Sequence, residues 1–299
     1  MKMRPVLISI VILAAVVFLF VISLFIAHFF KGGQGGVVAG PSVAVLVVKG
    51  IILDSSETIK QLHDFRKNKN VKAVVLRIDS PGGVVAPAQE IYEEVKKLAA
   101  KKTVVVSMGS VAASGGYYIA APANRIFANP GTVTGSIGVL MKLSNIEGLL
   151  GRIGLKSFIL KSGRFKDAGS PLRPMTREER AIMQSVIDSM HGQFIRAVAE
   201  GRKLPLEAVT RLADGRIFSG EQALKLKLVD RLGNLQDAVT EAGKLAGIKG
   251  EPEVIYPPEK KSFLRDLLIE GLAGTVGGLV GLEPGVNARY EIEGVRVLQ

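Results

Sequence analysis

The chain of 299 residues contains no cysteine. Disulfide bonds and thiolate-bound metal ions are therefore excluded, although this absence does not by itself identify the redox compartment. No other residue types form a cluster with the spacing of metal ligands. The sequence predicts neither a metal site nor any other cofactor.

Histidine is scarce, with only His28, His63 and His191 in the whole chain. None of the three lies in a sequence setting that suits a catalytic base. A serine nucleophile needs a neighbouring group that takes its proton. A nucleophilic serine in this chain would therefore have to be activated by a lysine.

Acidic residues are also few, because 27 Asp and Glu oppose 39 Lys and Arg, for a net charge of +12. Such an excess can mark a nucleic-acid-binding protein, but here the basic residues are spread along the chain with little aromatic interleaving. We predict no nucleic-acid partner. The charge is better explained by proximity to anionic lipid.

Charge is absent from residues 6–27, a run of 22 residues. As a helix this run is about 33 Å long, enough to cross a hydrocarbon core of about 30 Å. The alternative is a cleaved signal peptide, whose apolar region is shorter, about 7 to 15 residues. Lys2 and Arg4 outweigh Lys31, which predicts a single-pass protein of the cell membrane with a cytoplasmic N-terminus. The rest of the chain would be extracytoplasmic.

The chain divides into four predicted segments, with no internal repeat. A cytoplasmic tip and anchor, 1–31, precede a glycine-rich linker, 32–41, and a domain, 42–248, large enough for one α/β core. The tail, 249–299, contains apolar residues that are too interrupted for a second span. We predict that the tail contacts a membrane surface or another subunit.

From residue 42 onward, short β-branched runs alternate with amphipathic stretches, which is βαβ order and predicts an α/β fold with a mostly parallel sheet. The predicted strands are 43–48, 71–78, 103–108, 125–128, 136–141 and 156–161. The predicted helices in this part are 57–67, a helix containing Pro87 in its first turn and Leu98 near its end, 114–121 and 147–152.

Two short motifs could form the two halves of a catalytic site. In residues 79–83, DSPGG, a buried strand must turn sharply, and its glycines leave backbone N–H groups such as that of Gly83 free to bind an oxyanion. Ser114 opens a short helix, where the N–H of Gly115 could be the second donor. Taken alone, the first motif also suits an ordinary turn, and Ser114 also suits a helix N-cap.

Residues 162–174 have neither helical nor strand periodicity. Loops of this length in compact domains are usually functional or disordered. The long helix that follows begins with Thr176 and Glu179 in capping-box spacing. Its apolar stripe is predicted to be core and consists of Ile182, Val186, Met190, Phe194 and Val198.

Four motifs in this order resemble those of the signal peptide peptidase A family, in its short single-copy form, within the Clp/crotonase superfamily. They are residues 79–83 (DSPGG), 112–118 (AASGGYY), 134–139 (TGSIGV) and 162–167 (SGRFKD). The resemblance covers about residues 42–248 and includes a closing segment, 215–230. It implies a Clp/crotonase-like fold preceded by one transmembrane helix.

The resemblance implies a serine protease with a Ser/Lys dyad. Ser114 would attack the scissile carbonyl, and Lys166 would take its proton and return one to the leaving amine. Ser136 would orient the lysine, and the N–H groups of Gly83 and Gly115 would form the oxyanion hole. A free lysine titrates near pH ~10.4, so burial would have to favour its neutral form. Considered alone, Lys166 suits a solvated charge, and Ser136 suits a strand-end serine bonded to local backbone.

The family also implies partners. Extended apolar peptides, such as remnant signal peptides left in the lipid bilayer, would pair with the enzyme by strand addition. The enzyme would be a homo-oligomeric ring, for instance an octamer, in which Ser114 and Lys166 come from adjacent protomers. Other readings stay open: a membrane protease that cuts a stomatin-like protein, an acyl-CoA-binding crotonase relative, and an inactive membrane scaffold.

Overall fold

A computed structural model of the chain describes residues 16, 18, 19, 22 and 23 and residues 40–257. Most of the predicted span, 6–27, lies outside the described residues, and the five described residues of that span are helical. Among the residues that the structure describes, no helix is both long and apolar enough to cross a membrane. The chain separates into two units, residues 1–257 and 258–299, of which the second lies outside the description.

The first unit alternates strands and helices as the sequence predicts. Its strands are β1 (Ser42–Lys49), β2 (Val71–Ser80), β3 (Thr103–Ala113), β4 (Arg125–Ala128), β5 (Val133–Gly135), β6 (Ile217–Ser219), β7 (Arg231–Leu232) and β8 (Glu253–Ile255). Its helices from residue 40 onward are α1 (Ser56–Lys67), α2 (Val85–Ala99), α3 (Gly115–Ala120), α4 (Glu147–Arg152), α5 (Arg177–Arg202), α6 (Leu206–Leu212), α7 (Gly220–Lys225) and α8 (Leu235–Leu245).

One eight-stranded sheet organises the fold, in the order β6-β5-β3-β2-β1-β8, with β4 paired to both β3 and β7. The described pairings are parallel except that of β5 with β6. The predicted α/β fold with a mostly parallel sheet is therefore confirmed. Parallel strands place their carboxyl ends at one edge, which is where ligands bind in such sheets.

Both faces of the sheet are covered, so its central strands are continuous apolar runs. Alternate residues of β1 face opposite sides. Val43 and Val45 pack in a cluster with α8, whereas Ala44 and Leu46 belong to the larger cluster that includes α1, α2 and α3. This covered sheet is a rigid support for the loops at its carboxyl edge.

Two predicted strands are absent. Residues 136–141 and 156–161 form no strand, although the helix predicted between them at 147–152 is present as α4. Leu140, Phe158 and Leu160 are 85%, 86% and 100% exposed. Their apolar runs resemble buried strands in the sequence, but within the described residues they pair with no strand.

The stripe predicted for α5 is core only in its second half. Phe194 and Val198 are buried, whereas Ile182 and Val186 are 37% and 39% exposed. The prediction was therefore wrong for Ile182 and Val186. These two residues lie at the surface in the first half of the helix, and Met190 is half-buried.

Candidate active site

Ser114 lies where β3 ends and α3 begins, with φ +52° and ψ −122°. A positive φ is uncommon for a residue with a side chain and persists only where the surroundings hold it. The Ser114 N–H donates to the carbonyl of Gly135 over 2.9 Å, and the Ser114 carbonyl accepts from the N–H of Tyr118 over 2.8 Å. Both backbone groups of the serine are thus fixed by neighbours.

The hydroxyl of Ser114 makes no hydrogen bond that stabilises the described part of the fold. Ser114 occupies the N-cap position of α3, but its side chain makes no capping hydrogen bond. Within the described part of the chain the hydroxyl has no other partner, and the residue is half-buried. Ser114 is therefore a helix N-cap by position, but its side chain does not cap the helix, and its hydroxyl is free to react.

The turn after β2 lies directly against Ser114. A Cβ atom on Gly82, where φ is +105°, would lie 2.7 Å from the Gly115 nitrogen and 2.9 Å from the Ser114 Cβ. A Cβ on Gly115 would in turn lie 3.2 Å from the Gly83 nitrogen. Only residues without a side chain permit this approach, which explains the glycines of both motifs.

The N–H group of Gly83 is left unpaired by the way its neighbours bond. Ile52 donates its N–H to the Gly82 carbonyl over 2.9 Å and accepts from Val84 over 2.8 Å. This parallel bridge skips the Gly83 N–H, and among the described residues neither Gly83 nor Gly115 donates its N–H to an acceptor. Two adjacent free donors beside a serine can stabilise the charge of a tetrahedral intermediate.

Asp79 and Ser80 belong to the DSPGG motif, but the bonds by which they support this turn could not be recognised from the sequence. Buried Ser80 accepts the N–H of Gly82 at its Oγ over 3.1 Å. The carboxylate of Asp79 accepts the N–H of Val111 over 3.1 Å, where the register between β2 and β3 shifts. Ile52 gave no signal at all, because its contribution is made by backbone atoms.

Ser136 lies beside Ser114 because β3 and β5 are parallel neighbours that end together, with Ala113 opposite Gly135. Ser136 also has a positive φ, +50°, and its N–H donates to the carbonyl of Arg216 over 2.8 Å. Its hydroxyl has no hydrogen-bond partner in the described part of the chain. Its side chain does not bond to local backbone, so that alternative is wrong.

Lys166 is exposed on a segment of turns. Among the described residues its amine pairs with no group, and no hydrogen bond joins it to Ser114 or Ser136. The single chain therefore brings together Ser114, Ser136, Gly83 and Gly115 but does not bring Lys166 into contact with them. His63 is bonded to Glu94 over 2.7 Å, and neither His63 nor His191 contacts Ser114 within the described residues.

Exposed apolar side chains flank the turn that presents Gly83. Ile51 and Leu53, on either side of the bridging Ile52, are 65% and 69% exposed, and Val84 is 49% exposed. An extended apolar peptide laid beside this turn would cover them. The free serine, the two unpaired N–H groups and the parallel sheet define a Clp-like domain equipped for acyl transfer.

Comparison with known proteins agrees with this class. The profile of the Clp protease family matches residues 45–132, and that of peptidase family S49 matches residues 96–249. The chain belongs to peptidase family S49. The first match includes Ser114 and the second includes both Ser114 and Lys166.

Individual relatives carry protease names. The provisionally named protease slr0021 of Synechocystis sp. is 48% identical over 64% of this chain and 71% of its own length. The provisionally named signal peptide peptidase SppA of Enterococcus faecium is 37% identical over 74% of this chain and 68% of its own. Protease 4 of Salmonella typhi is 37% identical over 81% of this chain but only 40% of its own length. Family and names together support a serine-type peptidase.

Proposed function

We propose that this protein is a membrane-anchored serine endopeptidase that hydrolyses remnant signal peptides with Ser114 as nucleophile and Lys166 as general base. The observation that carries the proposal is the strained Ser114, whose hydroxyl is free and lies beside the unpaired N–H groups of Gly83 and Gly115. His63 is already bonded to Glu94, and the peptidase family S49 match includes both Ser114 and Lys166, which supports a lysine as the base.

In the proposed reaction the Ser114 Oγ forms a bond to the scissile carbonyl carbon while Lys166 takes the hydroxyl proton. The oxyanion accepts hydrogen bonds from Gly83 and Gly115. When the C–N bond breaks, the protonated lysine gives its proton to the leaving amine. Water, deprotonated by the same lysine, then hydrolyses the acyl-enzyme. Ser136 would hold the amine in line.

The distribution of exposed apolar residues supports assembly of this site from two copies of the chain. Side chains between residues 140 and 160 and on the first half of α5 are exposed although they are apolar. Large exposed apolar patches in soluble proteins usually mark an interaction site. A neighbouring protomer that covers this surface could receive Lys166 at its own Ser114.

The choice of substrate rests on the apolar rim of the turn and on the family. Ile51, Leu53 and Val84 favour an extended apolar peptide over a polar one. The relative from Enterococcus faecium is named for signal peptide hydrolysis. Signal peptides contain an apolar stretch of the kind that this rim would bind.

Membrane anchorage rests on the uncharged residues 6–27. We expect the full chain to remain in the membrane fraction after a high-salt wash, because salt screens charge-mediated attachment but not apolar insertion. The measurement is the N-terminal sequence and fractionation of the native protein. A main species that is soluble and begins near residue 32 would show cleavage instead.

The chemistry is tested with the detergent-purified full chain and a synthetic signal peptide. Ser114→Ala should abolish cleavage with little loss of stability, because the serine side chain makes no capping bond. Lys166→Arg should be inactive, since a guanidinium does not deprotonate. Lys156→Arg, on another exposed lysine, is the control and should keep full activity.

Ser136→Ala should lower the rate without abolishing it, because it removes only the group that orients the lysine. Turnover at the wild-type rate in Ser114→Ala, or substantial activity in Lys166→Arg, would refute the dyad.

A further inference from the structure

The segment that carries Lys166 is folded into successive tight turns. Lys166 donates its N–H to Gly163 over 3.2 Å, Ala168 donates to Phe165 over 3.0 Å, and Ser170 donates to Asp167 over 3.0 Å. These bonds shape the backbone locally. They do not connect it to the rest of the protein, so a second set of contacts must fix where the lysine is presented.

Arg173 provides that connection. Its Nε donates to the Asp167 carboxylate over 2.8 Å, and its Nη1 donates to the Glu179 carboxylate over 2.9 Å, with a second contact to each residue. Asp167 is the residue after Lys166, and Glu179 lies in the first turn of α5. One planar guanidinium therefore links the lysine-bearing turn to a helix.

Glu179 is a firm anchor for this link. It is 3% exposed and closes the capping box of α5, accepting the N–H of Thr176 over 2.9 Å while Thr176 accepts its N–H over 3.2 Å. The hydrogen bond from Arg173 is the largest cause that lowers the pKa of Glu179, to about 2, and the Thr176 N–H adds to it. The carboxylate therefore stays ionised at neutral pH.

Asp167 would otherwise be a competing partner for the catalytic amine, because an adjacent carboxylate stabilises a charged lysine. Its carboxylate is instead occupied by Arg173 and by the ammonium of Lys161. The bond from Arg173 is the first cause that holds the pKa of Asp167 well below its usual range. Lys166, next to it, has no partner among the described residues.

We propose that Arg173, held between Asp167 and Glu179, is a positioning residue for Lys166: it fixes the turn that presents the lysine and keeps the Asp167 carboxylate from pairing with the lysine amine. The inference rests on the proposed function, in which Lys166 is the base. Arg173 itself contacts neither the substrate nor the reacting atoms.

Other charged groups of the loop and of the first turn of α5 bear on the same amine. They are Lys161, Arg164, Asp167, Arg173, Arg177, Glu178 and Glu179. Arg164 pairs with Glu178 and stacks on Phe165, outside the link through Arg173. Arg164→Gln therefore removes the same charge from the same loop without breaking that link, and it is the matched control.

The experiment measures kcat and kcat/KM of the full chain against a signal peptide over a range of pH. Arg173→Gln should lower kcat by about tenfold to a hundredfold, because a misplaced catalytic group loses alignment. The midpoint of the rise in activity with pH should move up by roughly 0.5 unit, because the Asp167 carboxylate, then held by Lys161 alone, can also stabilise the charged lysine. Arg173→Lys should restore the midpoint but only part of kcat, since an ammonium keeps the charge but not the planar fork.

Asp167→Asn separates the two effects. Asp167→Asn weakens the link without leaving a free carboxylate, so kcat should fall while the midpoint of the pH profile does not rise. Adding Asp167→Asn to Arg173→Gln should return that midpoint to its original value. If Arg173→Gln fails to fold, as judged by its thermal unfolding, Asp167→Asn still decides: an unchanged kcat would refute the inference.

The inference is also overturned if Arg173→Gln is as active as Arg164→Gln and has the same midpoint. The proposed function would survive that result as long as Lys166→Arg remains inactive. If Lys166→Arg is active, the dyad and the inference fail together.

Discussion

Both serines of the site have strained backbone, as have Lys203 and Lys227 elsewhere in the described chain. Ser114 and Ser136 have φ values of +52° and +50°, in a region that residues with side chains seldom adopt. Each is held there by a backbone hydrogen bond, to Gly135 and Arg216 respectively. The surrounding sheet stabilises these strained backbone conformations, which place the two hydroxyl groups together at its edge.

The close approach of Gly82 to Ser114 predicts a specific loss of activity. In Gly82→Ala, the new Cβ would lie 2.7 Å from the backbone nitrogen of Gly115, so the turn after β2 and the start of α3 must move apart. We expect kcat to fall by about 10²- to 10³-fold, the loss typical of one displaced oxyanion donor.

The control for this prediction is Gly247→Ala, since Gly247 also has a positive φ, +73°, but open space around it. Both variants should lose about 1 to 3 kcal/mol of stability from backbone strain, whereas only Gly82→Ala should lose activity. Equal activity of the two variants would show that the approach of Gly82 to Gly115 is not needed.

β3 is the element that carries the nucleophile, and it runs further than the sequence predicts. The predicted strand ended at residue 108, but β3 continues to Ala113 through a register shift against β2. Gly109 and Ser110 interrupt the apolar run at that point, so the sequence pattern ends there. After the shift, the last residues of β3 run toward the turn at Gly82.

Asp79 holds this irregular part of β3. Asp79→Ala leaves the N–H of Val111 without its acceptor and should cost about 1 to 3 kcal/mol of unfolding free energy and lower kcat. Asp79→Asn retains an oxygen that can accept the same bond and should be much milder in both measurements. Loss of activity in Asp79→Asn as large as in Asp79→Ala would mean that the charge of Asp79, and not its hydrogen bond, is what matters.

The sequence predicted the central strands and the glycine turns because their signals are local. It failed at 136–141, at 156–161 and at Ile182 and Val186, where apolar residues are exposed in this chain. Periodicity identifies an apolar face but not what covers it. The backbone bridge between Ile52 and the glycine turn was likewise out of reach, because a contact between distant segments leaves no pattern in either segment. The bonds of Ser80 and Arg173 span only two and six residues, but they lie in turns that have no periodicity to reveal them.

At the scale of the whole molecule, the two catalytic residues of the proposed site lie at different places on one chain. Ser114 lies at the carboxyl edge of the sheet, whereas Lys166 lies on an exposed segment bordered by exposed apolar residues. A head-to-tail ring joins two different surfaces of each subunit at every interface. Such a ring would cover the apolar residues and complete every site with a lysine from the neighbour.

This arrangement predicts complementation between inactive chains. Ser114→Ala and Lys166→Ala should each be inactive alone. In mixed oligomers made from equal amounts, a given site has an intact serine in half of the cases and an intact neighbouring lysine in half, so about a quarter of wild-type activity should return. Differently tagged chains can be co-expressed, and only oligomers that carry both tags assayed.

Mixing wild type with the double variant Ser114→Ala/Lys166→Ala provides the matched control. If the dyad forms between chains, this mixture also has about a quarter of wild-type activity, because both partners at a site must be wild type. If each chain builds its own dyad, the first mixture stays inactive and the second has about half. The activities of the two mixtures therefore change in opposite directions between the two arrangements. An inactive first mixture beside a half-active second would show that each chain forms its own dyad. The Ser/Lys chemistry would then stand, but it would not depend on a neighbouring chain.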